Sequence, residues 1–152
     1  MNDPLRPNVI ALDLEGTLIS TAASCFARPG LPGFLEFCRA SFNRVVLYTA
    51  VSDKRAREVL RLMAGEGDIP QWFAGVEIVD WERGTPMIKD LRFIRRATVE
   101  HTLLVDDLRE YVHPNQHDRW IPIQTWETPY PNTDRELERV ERVLRERIGG
   151  SA

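Results

Sequence analysis

Along most of this 152-residue chain, short apolar runs alternate with stretches in which apolar residues recur every three or four positions. The runs at 8–13, 44–49, 76–79, 102–106 and 120–123 are candidate strands. Between the first two, Pro32 stands where a helix can start, and Phe34, Leu35, Cys38 and Phe42 follow at the spacing of one buried stripe. After the second run, Ser52 can cap a helix whose Ala56, Val59, Leu60 and Met63 keep the same period. The passage from 65 to 75 holds Gly65, Gly67, Gly75 and Pro70, so it reads as turn-rich. A further helix is expected to begin near Lys89 and to carry Leu91, Phe93 and Ile94. Near the end, Leu137, Val140, Val143, Leu144 and Ile148 recur at helical spacing among charges of alternating sign, which describes a solvated helix lying on the core. Thr133 with Glu136 makes a capping box for it. Strands alternating with helices predict an α/β fold with three layers: a parallel sheet of about five strands flanked by helices. No repeat, low-complexity tract or shift in composition divides the chain, so a single domain over 1–152 is expected.

Composition narrows the class without changing that picture. With 43% hydrophobic and 28% charged residues, a chain of this length can bury a continuous core. The longest apolar runs, VIAL and TLLV, are too short to cross a bilayer, and no basic-then-apolar leader precedes them, so a cytoplasmic protein with no membrane partner is expected. Cys25 and Cys38 are read as reduced thiols. A formal charge of -3 argues against broad nucleic-acid binding. His113 and His117 have the spacing of half a zinc finger, but no cysteine pair accompanies them, and a polar loop is the better reading.

Ligands of such a sheet bind beyond the carboxyl ends of its strands. The first candidate strand ends in Asp13-Leu14-Glu15-Gly16-Thr17, the second in Tyr48-Thr49 and the fourth in Asp106-Asp107, with Lys89 shortly before the fourth. Any one of these alone could be a turn former, a strand residue or a surface charge. Lys89, however, is one of only two lysines against eighteen arginines, which suggests that a compact point charge is wanted there. Four carboxylates gathered at one sheet edge would repel one another unless a cation neutralised them. Magnesium suits an all-oxygen set that leaves room for phosphate, whereas zinc would want histidine or cysteine. A carboxylate beside magnesium can attack a phosphoryl group, a second acid two residues on can protonate the leaving oxygen, and a hydroxyl and an ammonium can hold the phosphoryl oxygens.

The segments DLEGTL, LYTA, MIKDL and LLVDD, in that order, resemble the four motifs of haloacid dehalogenase superfamily phosphatases. Within that superfamily, YTA, the K-D-L segment and VDD followed by IPI-x-x-W are most similar to the carboxy-terminal-domain phosphatases, the NLI-interacting-factor type. The resemblance implies Asp13 as nucleophile, Glu15 as general acid and base, and Thr49 and Lys89 as phosphate binders. It implies a Mg2+ site of Asp13, Glu15 through its backbone carbonyl, and Asp107, with Asp106 supporting Asp107 and Lys89. Glu15 departs from the branch's pattern, which has a second aspartate there, and Gly16 follows the more widespread superfamily form. A receiver domain of two-component signalling uses similar parts in another order, with its acidic pair first and its lysine last. A non-catalytic phosphate-binding or scaffold protein on the same fold is the remaining rival.

Residues 18–48 and 50–88 are largely used up by the elements assigned above, which leaves no room for a cap domain and predicts an open site. An open site suits a phosphoryl group on a protein or other large molecule, while a small-metabolite substrate stays possible if a partner subunit acts as lid. The loop 20–30 is expected to arch over the site, and Arg92, Arg95 and Arg96 are candidates to meet an acidic substrate.

Overall fold

A computed structural model of the chain describes residues 4–149. Its five strands are β1 (Val9–Leu12), β2 (Arg44–Leu47), β3 (Glu77–Ile78), β4 (Thr102–Asp106) and β5 (Trp120–Pro122). Every pairing is parallel, and the spatial order is β3-β2-β1-β4-β5. All five expected strands form, β4 over the whole expected 102–106 and the others shortened, and β3 keeps only two residues at one sheet edge. The central strands β1 and β4 are buried along their whole length, which is why they read as unbroken apolar runs.

The sheet has unlike faces. Ile10, Leu12, Leu47, Leu103, Val105 and Ile121 share one buried cluster with α1 (Leu31–Ser41), α2 (Asp53–Gly65) and α3 (Glu136–Gly149). The alternate residues Val9, Ala11, Val46, Tyr48 and Leu104 face the other way, onto Val79, Trp81, Leu91, Ile94 and Val112. That second layer is built from extended chain and short 3₁₀ turns, at Leu91–Phe93, Val99–His101, Arg109–Tyr111 and Pro114–Arg119. The helix expected near Lys89 is thus a single turn, because Asp90 caps Leu91–Phe93 by accepting the Arg92 N–H and the chain leaves helical angles again at Ile94. Periodicity alone did not reveal this, since three apolar residues fit a helical stripe and an irregular buried segment equally well.

Helix boundaries follow local chemistry. In α1, Gly30 precedes the helix at φ 86, and Pro32 occupies the first turn, where its missing N–H costs nothing. Ser52 caps α2 by accepting the Arg55 N–H at 3.3 Å. At the start of α3 the expected capping box does not form. Asp134 accepts the Glu136 N–H at 3.2 Å, and the Glu136 carboxylate is occupied by Arg139 and the Gln124 N–H. The passage after α2 is the turn-rich connection expected, ending in a 3₁₀ helix at Gln71–Gly75. His113 and His117 lie at and in the Pro114–Arg119 turn, His113 accepting the Asn115 N–H and His117 tilted against Trp120. No helix among the described residues is long and apolar enough to cross a membrane.

Candidate active site

The strand order reverses direction between β1 and β4, and there the sheet presents its crevice. β1 runs out into Asp13 and β4 into Asp106 and Asp107, so pairing of Leu12 with Val105 brings these carboxylates together across two neighbouring strand ends. Oxygens of Asp13, Asp106 and Asp107 lie within 4.8 Å of one another. Lys89 reaches them from the second layer, where its N–H donates to the Tyr111 carbonyl at 2.7 Å. Its side chain is completely buried, and its Nζ donates to Asp13 Oδ1 at 2.8 Å and to Asp106 Oδ2 at 2.6 Å. Burial opposes the ammonium charge, but the two carboxylates outweigh it and raise the pKa above the ordinary lysine value.

One lysine does not neutralise three acids. Burial, followed by the charge of Asp13, pushes Asp106 up to about 6 against the pull of Lys89. Burial also pushes Asp107 up to about 7, helped by a hydrogen bond with Asp13 and by its charge, and Thr125 opposes the shift. Hard oxygen donors, close spacing and an excess of buried negative charge fit a small divalent cation. Asp106 already has Lys89 on one oxygen and the Leu108 N–H on the other at 2.9 Å, whereas Asp107 receives the Thr17 hydroxyl at 3.2 Å and the Thr125 hydroxyl at 2.8 Å and has no cationic partner among the described residues.

The fourth expected carboxylate is elsewhere. Glu15 is exposed, and its Oε2 accepts the Ala22 N–H at 2.7 Å, so three carboxylates gather and not four. A strand reverses its side chains residue by residue, but beyond Leu12 the chain is a loop, and spacing from Asp13 could not say where Glu15 would point. That contact also places the 20–30 loop beside the acid, while Arg55 binds the Ala22 carbonyl at 2.7 Å. Thr49 is buried immediately after β2, and its hydroxyl accepts the Val51 N–H at 3.0 Å. Of the expected arginine face, Arg92 is bound to Asp90 at 2.6 Å, and the carbonyls of Arg95 and Arg96 accept hydrogen bonds from Arg44.

Three further residues build the site: Thr17 and Gly16, to which the sequence assigned no role, and Arg28, which lies outside every motif. The Thr17 hydroxyl sits between Asp13 Oδ2, at 2.8 Å, and Asp107. Gly16 has φ 78, and a Cβ there would stand 2.5 Å from Asp107 Oδ2, so both backbone angle and space require glycine. Arg28 is 1% exposed and donates to the carbonyls of Gly16, Thr17 and Gln124 and to both oxygens of Asp134. An arginine at the end of a polar loop looks like surface charge in sequence, and only its five acceptors show otherwise.

Comparison with known proteins bears on what this crevice does. No individual curated protein matches the chain. The family model of NLI interacting factor-like phosphatases matches residues 8–151, a span that includes every carboxylate above, Thr49 and Lys89. With nearly its whole length matched, the chain belongs to the NLI interacting factor-like phosphatases, a phosphohydrolase family of the haloacid dehalogenase superfamily.

Proposed function

We propose that the protein is a magnesium-dependent phosphatase that hydrolyses a phosphomonoester through an aspartyl-phosphate on Asp13. The observation that carries the reading is the buried Lys89 bridging Asp13 and Asp106 beside the half-buried Asp107, since a buried ion cluster of this kind is costly unless its field is used. A carboxylate of Asp13 attacks phosphorus, and the bond from phosphorus to the leaving oxygen breaks. Glu15 leaves the Ala22 N–H to give that oxygen its proton, then takes a proton from the water that attacks the acylphosphate, whose bond from phosphorus to Asp13 breaks to release phosphate and restore the carboxylate. Lys89 has three donors, of which Asp13 and Asp106 use two, so the third is free for a phosphoryl oxygen. Thr49 accepts from Val51 and keeps its own O–H to donate to another. Asp13, Asp107 and the Glu15 carbonyl would hold magnesium, with Asp106 in support. Bound there, the ion would offset the repulsion among the acids and the charge of the phosphoryl oxygens.

The substrate proposed is a phosphoprotein or another large phosphoester. Between Gly16 and Lys89 the described chain is filled by the 20–30 loop, α1, β2, α2, β3 and their connections, so no inserted domain stands over the strand ends to enclose a small molecule. Asp13→Asn tests the mechanism: turnover of an aryl phosphate should fall to below about one per cent with the melting temperature kept, because the amide is a far poorer nucleophile. Retained turnover would end the proposal. In a substrate panel, kcat/KM for a phosphoprotein should exceed that for a free phosphoamino acid about a hundredfold, equivalent to roughly 2.7 kcal/mol. Efficient turnover of a small metabolite by the monomer would exclude that substrate class.

A further inference from the structure

Arg83 lies outside every motif, in the extended segment after β3, and its guanidinium closes on the turn that follows β2. Nε donates to the Ala50 carbonyl at 3.1 Å, and Nη2 donates to the carbonyls of Thr49 at 3.1 Å and Val51 at 2.9 Å. Nη1 reaches the Trp81 carbonyl at 3.3 Å, and Nη2 is shared with Asp53 at the head of α2. The planar group lies 5.2 Å from the centre of the Trp81 ring, and the Trp81 indole N–H itself donates to the Thr49 carbonyl at 3.0 Å. Trp81 packs edge-on against Tyr48, whose hydroxyl donates to the carbonyl of Asp90, the residue after Lys89.

Three successive carbonyls held by one side chain is an unusual use of an arginine, and its consequence falls on Thr49. A carbonyl fixed toward Arg83 turns its peptide plane, so the N–H of the next residue is fixed in the opposite sense. The Val51 N–H is one of these, and it is the group that the Thr49 hydroxyl accepts. With that acceptor position filled, the hydroxyl proton is excluded from the direction of Val51 and is left to be presented elsewhere.

We propose that Arg83 is a positioning residue for phosphate, acting through the 49–51 turn to orient the Thr49 hydroxyl and the peptide groups beside it. The inference rests on the phosphate-binding role proposed above for Thr49. A lysine could not replace it, because a single ammonium has no planar fork with which to span these carbonyls. The loss should therefore appear in affinity for the phosphoryl group, and a contribution to stability alone would leave that affinity intact.

The test is a double-mutant cycle read by calorimetric titration of inorganic phosphate with magnesium present, which needs no turnover. Arg83→Met should keep the stem on Trp81 and weaken phosphate about tenfold, Thr49→Ala should weaken it by a similar factor, and the double variant should bind within about twofold of Thr49→Ala alone, because coupled neighbours do not add. Wild-type affinity in Arg83→Met, or strictly multiplied losses in the double variant, overturns the proposal. Should Arg83→Met fail to fold, Arg83→Lys serves: it should fold and bind at least about threefold more weakly, and unchanged affinity there is equally fatal. A wild-type protein that binds phosphate yet hydrolyses nothing refutes the catalytic reading, and the cycle still decides the clamp. One that binds no phosphate refutes both.

Discussion

Among the described residues two cations are almost completely buried, Lys89 and Arg28, and they do opposite things with that burial. Lys89 faces two carboxylates that no backbone group fully satisfies, so its field points into a crevice still short of positive charge. Arg28 faces three backbone carbonyls and one carboxylate, and every direction of its fork is taken. On the mechanism proposed, the first is a point charge placed where charge changes. The second ties the loop after β1 to the segment leading into α3, and it sits behind the acids holding Gly16 and Thr17 in place. Burial of a charge is thus no sign of a reactive group by itself; what distinguishes the two is whether the partners saturate it.

That contrast can be broken by experiment. The largest effect is expected for Lys89→Met: turnover per folded molecule should drop about a thousandfold or more, far beyond the loss in Arg28→Met, because preorganised charge acts on the transition state. Equal loss of turnover per folded molecule in both variants would erase the distinction. Glu15→Gln should come next, lowering steady-state hydrolysis about a hundredfold, and with an activated leaving group it should trap phosphoenzyme detectable after acid quench. Normal turnover without an intermediate would assign the acid elsewhere.

Arg28→Met should act chiefly on the fold. Removing one partner of a buried network costs about 3–5 kcal/mol, which for a chain of this size lowers the melting temperature by roughly 10 °C. A thermal melt unchanged within error would show that water replaces the guanidinium.

The smallest effect concerns protons. Asp106 and Asp107 have folded pKa values above those of an unfolded chain, so the folded state binds the extra protons, and the cost of their charges is fully present above about 7 and relieved as pH falls toward the ordinary carboxylate range. Metal-free protein should therefore gain melting temperature between pH 8 and pH 5.5, and saturating magnesium should flatten the dependence. A metal-free protein that instead loses stability over that interval would contradict the electrostatics assigned to the site.

Much of the fold was legible in the sequence. The strands and α1 through α3 follow from apolar spacing, Ser52 and Pro32, since these are local properties in which a residue's neighbours in sequence are its neighbours in space, and the parallel arrangement follows from the alternation of strands with helices. The strand-end rule also picked out Asp13, Thr49, Asp106 and Asp107, and their order with Lys89 marked the family. Side-chain direction in irregular chain was not legible. Glu15 turns to Ala22, the segment after Lys89 is a single 3₁₀ turn, Asp134 replaces the expected cap, and all three α-helices share one face of the sheet. Arg28 and Arg83 were invisible because most of their partners are backbone carbonyls, which every residue has and no sequence pattern marks. Sequence by itself determined which groups stand at the strand ends, through period and order. Which of them touch, which cation is saturated and which keeps a donor free were decided only by contacts between residues as far apart as Arg28 and Asp134, where chain packing sets the distances on which hydrogen bonding and charge depend.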